Sequence, residues 1–338
     1  MKKVSLNNLN EVFAAIAAKN DLYIPVDTEA GVAKFEKWAE GKELSKELNT
    51  VRSAKDFFFP QVEDMAEFKV DGKNIEIIDT RKEMPDFVMF GVRACDFRSF
   101  SILDKVYLVE PVDSYYKNRR DHATIVTLAC NAPEETCFCQ NFGIDASEPG
   151  GDVSAWIADG DMYFKANTEK GEALLAAIDT EDGDDKKVDE AKAEIKAIIE
   201  KLPISGLDMS RFKGENLLEL FDDPRWKELS EACLACGTCT YVCPTCQCYD
   251  IREFDTGHGI KRFRCWDSCM YADFTKEAAG NPRSKQVQRF RQRFMHKLVY
   301  FPENNEGEYG CVGCGRCVKK CPIHMNIVKV IKALGVEK

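Results

Sequence analysis

Histidine is scarce in this chain: four residues in 338, at positions 122, 258, 296 and 324. Metal sites built mainly on imidazole are therefore excluded, and each histidine reads as a surface or core residue rather than a ligand. Positive charge is also in deficit. With 47 Lys+Arg against 57 Asp+Glu, the formal net charge is −10. That is the wrong sign for binding nucleic acid through its phosphates. Long hydrophobic runs are missing too: no stretch approaches the roughly 18 apolar residues a membrane span needs. The opening MKKVSLNNLNEVFAAIAAKN carries two lysines, but polar residues interrupt it before a secretory core can form, so it reads as mature sequence. No G-x-G-x-x-G follows a predicted strand, and there is no P-loop and no C-x-x-C-H haem site. A hydride step or a substrate pocket is expected on a partner.

Cysteine, by contrast, is abundant, with 16 residues. The chain is read as cytoplasmic. A reducing cytosol keeps thiols reduced, so thiolate metal ligands are expected rather than a disulfide framework. Four cysteines, Cys95, Cys130, Cys137 and Cys139, precede residue 230, and the rest follow it. The charged stretch Asp179 to Lys192 reads as a solvated loop and helix start. After it, Val188, Ala191, Ile195, Ile198, Ile199 and Leu202 recur at helical spacing until Pro203 stops them. The expected fold class is α+β and multidomain. An α/β domain covers residues 1–205, and an α-helical, ferredoxin-like two-cluster domain covers 206–338, with the border itself between 205 and 230.

Within the first domain, Leu6, Leu9, Val12, Phe13 and Ile16 form one face of an opening helix. Asp-Gly turns at Asp71 and Asp159, flanked by β-rich segments, signal two hairpins. The apolar runs FVMFGV (87–92) and TIVTLA (124–129) read as buried strands, with a helix after the first. This β-α-β order favours parallel neighbours in one sheet. Phe57, Phe58 and Phe59 read as a buried strand or a packing plug.

Two runs near the C-terminus carry the chemistry. Cys233, Cys236, Cys239 and Cys243 stand in CLACGTCTYVCP; Cys311, Cys314, Cys317 and Cys321 stand in CVGCGRCVKKCP. Both are C-x2-C-x2-C-x3-C-P, the established spacing of bacterial two-cluster ferredoxins. Three thiolates two residues apart wrap three corners of one cubane. The fourth sits too far along to close the same cubane and reaches the other one. One [4Fe-4S] cluster is therefore expected on Cys233, Cys236, Cys239 and Cys321, and a second on Cys311, Cys314, Cys317 and Cys243. Zinc sites usually pair C-x2-C units across a longer loop, which this pattern does not match. The segment between the runs places Val287, Phe290, Phe294, Leu298 and Val299 at helical spacing, so the module is expected to be helical. Arg283, Lys285, Arg289, Arg291, Arg293 and Lys297 share that segment. They read either as a solvated face or as cations that offset cluster charge or meet an acidic partner.

Cys95 follows the first buried strand and Cys130 ends the second. If the strands are parallel neighbours, both thiols lie at the carboxyl edge of the sheet, where open α/β sheets place their sites. Cys137 and Cys139 follow closely, so four thiols can converge there. A third [4Fe-4S] cluster is expected, with a four-thiolate zinc site or unligated buried thiols as the alternatives. Cys246, Cys248, Cys265 and Cys269 read as structural thiols, because sixteen dividing into four fours is weak ground for a further cluster.

In order along the chain, KDFFFP (55–60), GVRACD (91–96), ILDKVYL with DSYYKNRR (102–120) and TCFC (136–139) are followed by CLACGTCTYVCPTCQCY (233–249), RCWDSC (264–269), NPR (281–283) and CVGCGRCVKKCP (311–322). In these pieces the chain resembles the iron–sulfur electron-transfer subunits of anaerobic enzymes, namely the A subunit of anaerobic sulfite reductase and the beta subunit of cytoplasmic sulfhydrogenase. Cys246, Cys248 and Cys269 match that family's pattern, whereas Cys265 falls where the pattern need not have Cys. The resemblance implies a non-catalytic relay subunit of an anaerobic oxidoreductase complex. It would pass single electrons between a flavoprotein, which holds FAD or FMN and binds NAD(P), and a hydrogenase- or sulfite-reductase-like catalytic subunit, or ferredoxin. Two other readings compete with it. One is direct reduction of a sulfur compound or disulfide by the N-terminal thiols or the Cys246–Cys248 pair. The other is a zinc-stabilised adaptor with no redox role.

Overall fold

The computed structural model describes residues 1–47, 49–81 and 84–336. An eight-stranded sheet organises the first half. In spatial order its strands are Glu181–Asp182, Lys2–Ser5, Asp161–Ala166, Val153–Ala158, Ala123–Leu128, Phe87–Val92, Asp21–Asp27 and Ala33–Lys37. Val153–Ala158, Ala123–Leu128, Phe87–Val92 and Asp21–Asp27 run parallel to one another. The strands outside them pair antiparallel. Phe87–Val92 is buried along its whole length, as a parallel strand covered on both faces must be. Helix Ala94–Tyr107 follows it and leads, through helix Ser114–His122, to Ala123–Leu128. The β-α-β reading of the two apolar runs therefore matches the structure.

The opening helix is Leu9–Ala17, with Leu9, Val12, Phe13 and Ile16 buried. Leu6 instead begins a one-turn 3-10 segment after the strand Lys2–Ser5, a strand too short to show a period. Helix Asp185–Glu200 buries Val188, Ala191, Ile195 and Ile199 and leaves Ile198 partly exposed. Both hairpins form. In the second, Asp159 and Gly160 both take left-handed backbone between Ala158 and Asp161, as a type I′ turn requires. In the first, Asp71 pairs with Asn74, so the turn centre is Gly72-Lys73, one residue later than the Asp-Gly reading.

A four-stranded antiparallel sheet joins the two halves of the chain. Its order is Tyr249–Asp255, Ile260–Trp266, Val62–Asp71, Asn74–Asp79. The segment between the cysteine runs thus contributes a β-hairpin as well as the expected helix, Gln286–Met295. Tyr249–Asp255 is exposed on both faces, so no apolar–polar alternation marks it in the sequence. The inner face is anchored by Arg264, which is fully buried and donates to Glu63 at 2.7 Å and also to Asp113. Trp266 stacks on Phe59, and its indole N–H donates to the Phe59 carbonyl at 3.2 Å. The phenylalanine triplet is accordingly a packing plug: Ala54–Phe57 is a 3-10 turn, and Phe58 and Phe59 are buried under helix Ala94–Tyr107 and this sheet. Among the described residues, no helix is long and apolar enough to cross a membrane.

Candidate metal centres

The repeated sequence folds as a structural repeat. Each run enters a one-turn helix, Thr238–Tyr241 or Arg316–Lys319, and the two helices pack against each other. Each is preceded by a glycine in left-handed conformation, Gly237 at φ +74° and Gly315 at φ +77°. This pairing brings the tail of each run to the head of the other. Cys311, Cys314, Cys317 and Cys243 line one hollow, together with Phe138, Arg293, Lys297 and Ile327. Burial raises the Cys233 thiol, and the adjacent Cys236 and Cys321 sulfurs add to that. Burial likewise raises Cys239, against Arg293, with Cys233 among the neighbouring thiols.

Cys95 stands in the first turn of helix Ala94–Tyr107, and Cys130 lies just past Ala123–Leu128. Cys137 and Cys139 sit in the loop that follows, which ends in the 3-10 turn Cys139–Phe142. All four line a single, almost wholly apolar hollow at the carboxyl edge of the sheet. Burial pushes the Cys137 and Cys139 thiols up to about 12. Cys314 lines the same hollow, so the N-terminal set and the second ferredoxin set share a wall.

That wall depends on close backbone approach. The Phe138 N–H donates to the Gly313 carbonyl at 2.8 Å. A Cβ on Gly313 would stand 2.5 Å from the Phe138 carbonyl oxygen, and one on Gly315 would stand 2.6 Å from that of Thr136. Gly315→Ala therefore combines a left-handed backbone penalty with a collision against main chain. It is expected to cost about 1–3 kcal/mol, read as a lowered unfolding midpoint, with Gly307→Ala, which meets nothing within 4 Å, as the open-space control for backbone strain alone.

The helix Gln286–Met295 and the π-helical turn His296–Tyr300 supply buried cations. Arg293 is 2% exposed and Lys297 is 6% exposed. Arg293 donates to the Cys239 carbonyl at 3.2 Å, and Lys297 donates to Thr245 Oγ1 at 2.6 Å and the Gly310 carbonyl at 3.0 Å. Burial works against the Lys297 charge, yet the thiols of Cys243, Cys246 and Cys311 more than offset it and raise its pKa. Of the six cations in the segment, these two face the sulfurs; Lys285 is exposed, and Arg283, Arg289 and Arg291 are half-buried. The helical spacing of the segment gave no sign of which would turn inward.

Whether the thiols suit a multi-iron core or one tetrahedral ion follows from how they are gathered. A zinc ion needs its sulfurs at about 2.3 Å from a single point. Among the described residues, no three or more His, Cys, Asp or Glu side chains are gathered to hold one ion. The thiols of Cys243, Cys311, Cys314 and Cys317, and those of Cys95, Cys130, Cys137 and Cys139, line the walls of two hollows. A buried thiolate also needs nearby positive charge; Arg293 and Lys297 supply it on one side, and iron, when bound, would supply it on the other. The sequence reading missed two more residues. Arg316 and Asp96 form a buried ion pair between the second run and the sheet domain, and nothing marks them except that Arg316 stands between Cys314 and Cys317.

Repeated cysteine runs that interlock by their tails and are packed against an α/β sheet domain define an iron–sulfur protein of the dicluster class. The 4Fe-4S dicluster domain family matches residues 232–325. Over 326 residues the chain is 33% identical to sulfhydrogenase 2 subunit beta of Pyrococcus furiosus, covering 95% of this chain and 94% of the relative. The chain belongs to the sulfhydrogenase beta-subunit family, and it is an iron–sulfur electron-transfer subunit of the [4Fe-4S] type. No solved structure matches it.

Proposed function

We propose that this chain relays single electrons within a cytoplasmic multi-subunit oxidoreductase of an anaerobe. It stands between a flavoprotein that handles NAD(P)H and a catalytic subunit of hydrogenase or sulfite-reductase type, or a ferredoxin. Cys233, Cys236, Cys239 and Cys321 hold one [4Fe-4S] cluster, Cys311, Cys314, Cys317 and Cys243 a second, and Cys95, Cys130, Cys137 and Cys139 a third. The observation that carries the reading is contiguity. Arg293 donates to Cys239 of the first set and lines the hollow of the second, and Cys314 lines the hollows of both the second and the third.

A [4Fe-4S] cluster, when bound, takes up and releases one electron at a time. The protein's part is to bring the sites close, exclude water and set the charge around them. Phe138 and Ile327 close the second site to water. Arg293 and Lys297 place fixed positive charge beside the sulfurs and so favour the more negative, reduced form. The two-electron step is assigned to the flavoprotein.

The test is a reduction assay on the anaerobically purified chain. NAD(P)H alone is expected to leave its blue-region absorption intact, dithionite to bleach it, and NAD(P)H with a catalytic amount of the partner flavoprotein to bleach it as well. Steady-state reduction of a sulfur compound or disulfide by the isolated chain, with an artificial electron donor, would contradict a relay.

A further inference from the structure

Three of the four cysteines that read as structural thiols are gathered in one place. Cys246, Cys248 and Cys269 line a hollow together with Thr245, Arg293, His296 and Lys297. Cys246 and Cys248 follow the first ferredoxin run directly, and Cys269 is brought over by the strand Ile260–Trp266 and the turn after it. The fourth, Cys265, lies on that strand beside Arg252 and Asp250, away from the hollow. The cavity has a volume of about 20 Å³, the same as that at Cys243, Cys311, Cys314 and Cys317 and that at the N-terminal thiols.

The charge around this hollow is the independent observation. Lys55 is 1% exposed, and its ammonium donates to the Cys246 carbonyl at 3.0 Å. With Arg293 and Lys297 it makes three buried cations on this region. Among the described residues, none of the three has a carboxylate within ion-pair distance, and the Arg293 Nε has no hydrogen-bond partner. Buried cations without an anion are strongly disfavoured. The second cluster accounts for part of this charge, but Lys55 lies against Cys246. His296 sits on the wall with no hydrogen bond from its ring among the described residues. It opens a π-helical turn, a local widening found often at functional sites.

We propose that Cys246, Cys248 and Cys269 hold a further iron–sulfur cluster, with His296 facing the iron that the three thiolates leave. The Cys246 N–H donates to the Cys243 carbonyl at 3.5 Å, and Arg293 and Lys297 line both hollows, so this cluster abuts the second one. An electron lost by either is gained by the other, with no further reactant. The site lengthens the relay by one station, and it is the station whose iron is not fully held by sulfur.

Anaerobically purified full-length chain is expected to carry about sixteen iron atoms if the three other clusters are present, rather than about twelve. Cys248→Ser and Cys269→Ser are each expected to lose about four iron atoms and one set of reduced-state EPR signals, with the remaining signals unchanged. Cys265→Ser should lose none. His296→Ala should keep the cluster but release one iron on mild ferricyanide oxidation, giving the EPR signature of a three-iron cluster, faster than the parent. The proposal is overturned if the parent holds no iron beyond the other sites, if the Cys248 and Cys269 variants retain the parent's iron and spectra, or if mass spectrometry finds Cys248 and Cys269 joined as a disulfide. Loss of iron in Cys233 or Cys95 variants bears on the other sites alone, so the two readings fail separately.

Discussion

Cys321→Ser removes about four iron atoms from a site whose other ligands lie in a different run, and leaves the site nearest to it in sequence intact. This is the expected result if the tails are exchanged. Cys321 lies beside Cys233, while Cys311, Cys314 and Cys317 share their hollow with Cys243. Cys243→Ser should give the reciprocal loss. Mössbauer and EPR spectra of the two variants distinguish the cases, because the clusters differ in surroundings. The second set is enclosed by Arg293, Lys297 and Phe138, whereas Cys236 of the first is exposed. The exposed cluster should therefore be the one that oxygen attacks first. If Cys321→Ser instead abolished the cluster on Cys311, Cys314 and Cys317, each run would be closing its own cubane.

Arg316→Ala is the second large effect. Arg316 is 3% exposed, and its guanidinium grips both oxygens of Asp96, itself 1% exposed, at 2.5 and 2.7 Å. It also donates to the Thr50 carbonyl at 2.7 Å and to Thr50 Oγ1 at 3.0 Å. Asp96 is on the helix that carries Cys95, and Arg316 stands between Cys314 and Cys317. One buried pair therefore ties the sheet domain's thiol site to the second ferredoxin run. Removing one partner strands the other's charge in the interior, at a cost of about 3–5 kcal/mol. The expected readout is a large fall in the anaerobic unfolding midpoint. Replacing both partners with apolar residues, Arg316→Met with Asp96→Leu, should restore much of that stability because no charge is left unpaired. If the double variant were no better than the single one, the loss would come from disturbing the neighbouring Cys314 and Cys317 rather than from the stranded carboxylate.

The parts legible in the sequence are those with a strong local signature. The two runs carry fixed spacing and punctuating prolines, and their structural repeat follows from the repeated Gly-x-Cys turn into a short helix. Phe87–Val92 and Ala123–Leu128 were readable because a strand buried on both faces is apolar along most of its length. The placement of Cys95 and Cys130 then followed from the parallel order of those strands. What stayed hidden depends on contacts between distant segments. The first strand of the hairpin Tyr249–Asp255 and Ile260–Trp266 is exposed on both faces, and the hairpin's partner strand lies in the other half of the chain. This is why the segment between the runs read as wholly helical. Arg293 and Lys297 share a helical segment with cations that stay at or near the surface, and only the packed structure shows that they turn toward sulfur. Lys55 was hidden in the same way, inside a phenylalanine-rich plug.

A single measurement bears most directly on a chain of contiguous iron–sulfur sites spanning both halves of the fold. Iron, acid-labile sulfide and zinc are counted in the anaerobically purified full-length chain, and its Mössbauer spectrum is recorded before and after dithionite. The account predicts at least about twelve iron atoms per chain, matching sulfide, little zinc, and reduction of cubane iron at every site. A colourless chain loaded with zinc, or one holding iron at only a single cluster's worth, would contradict it.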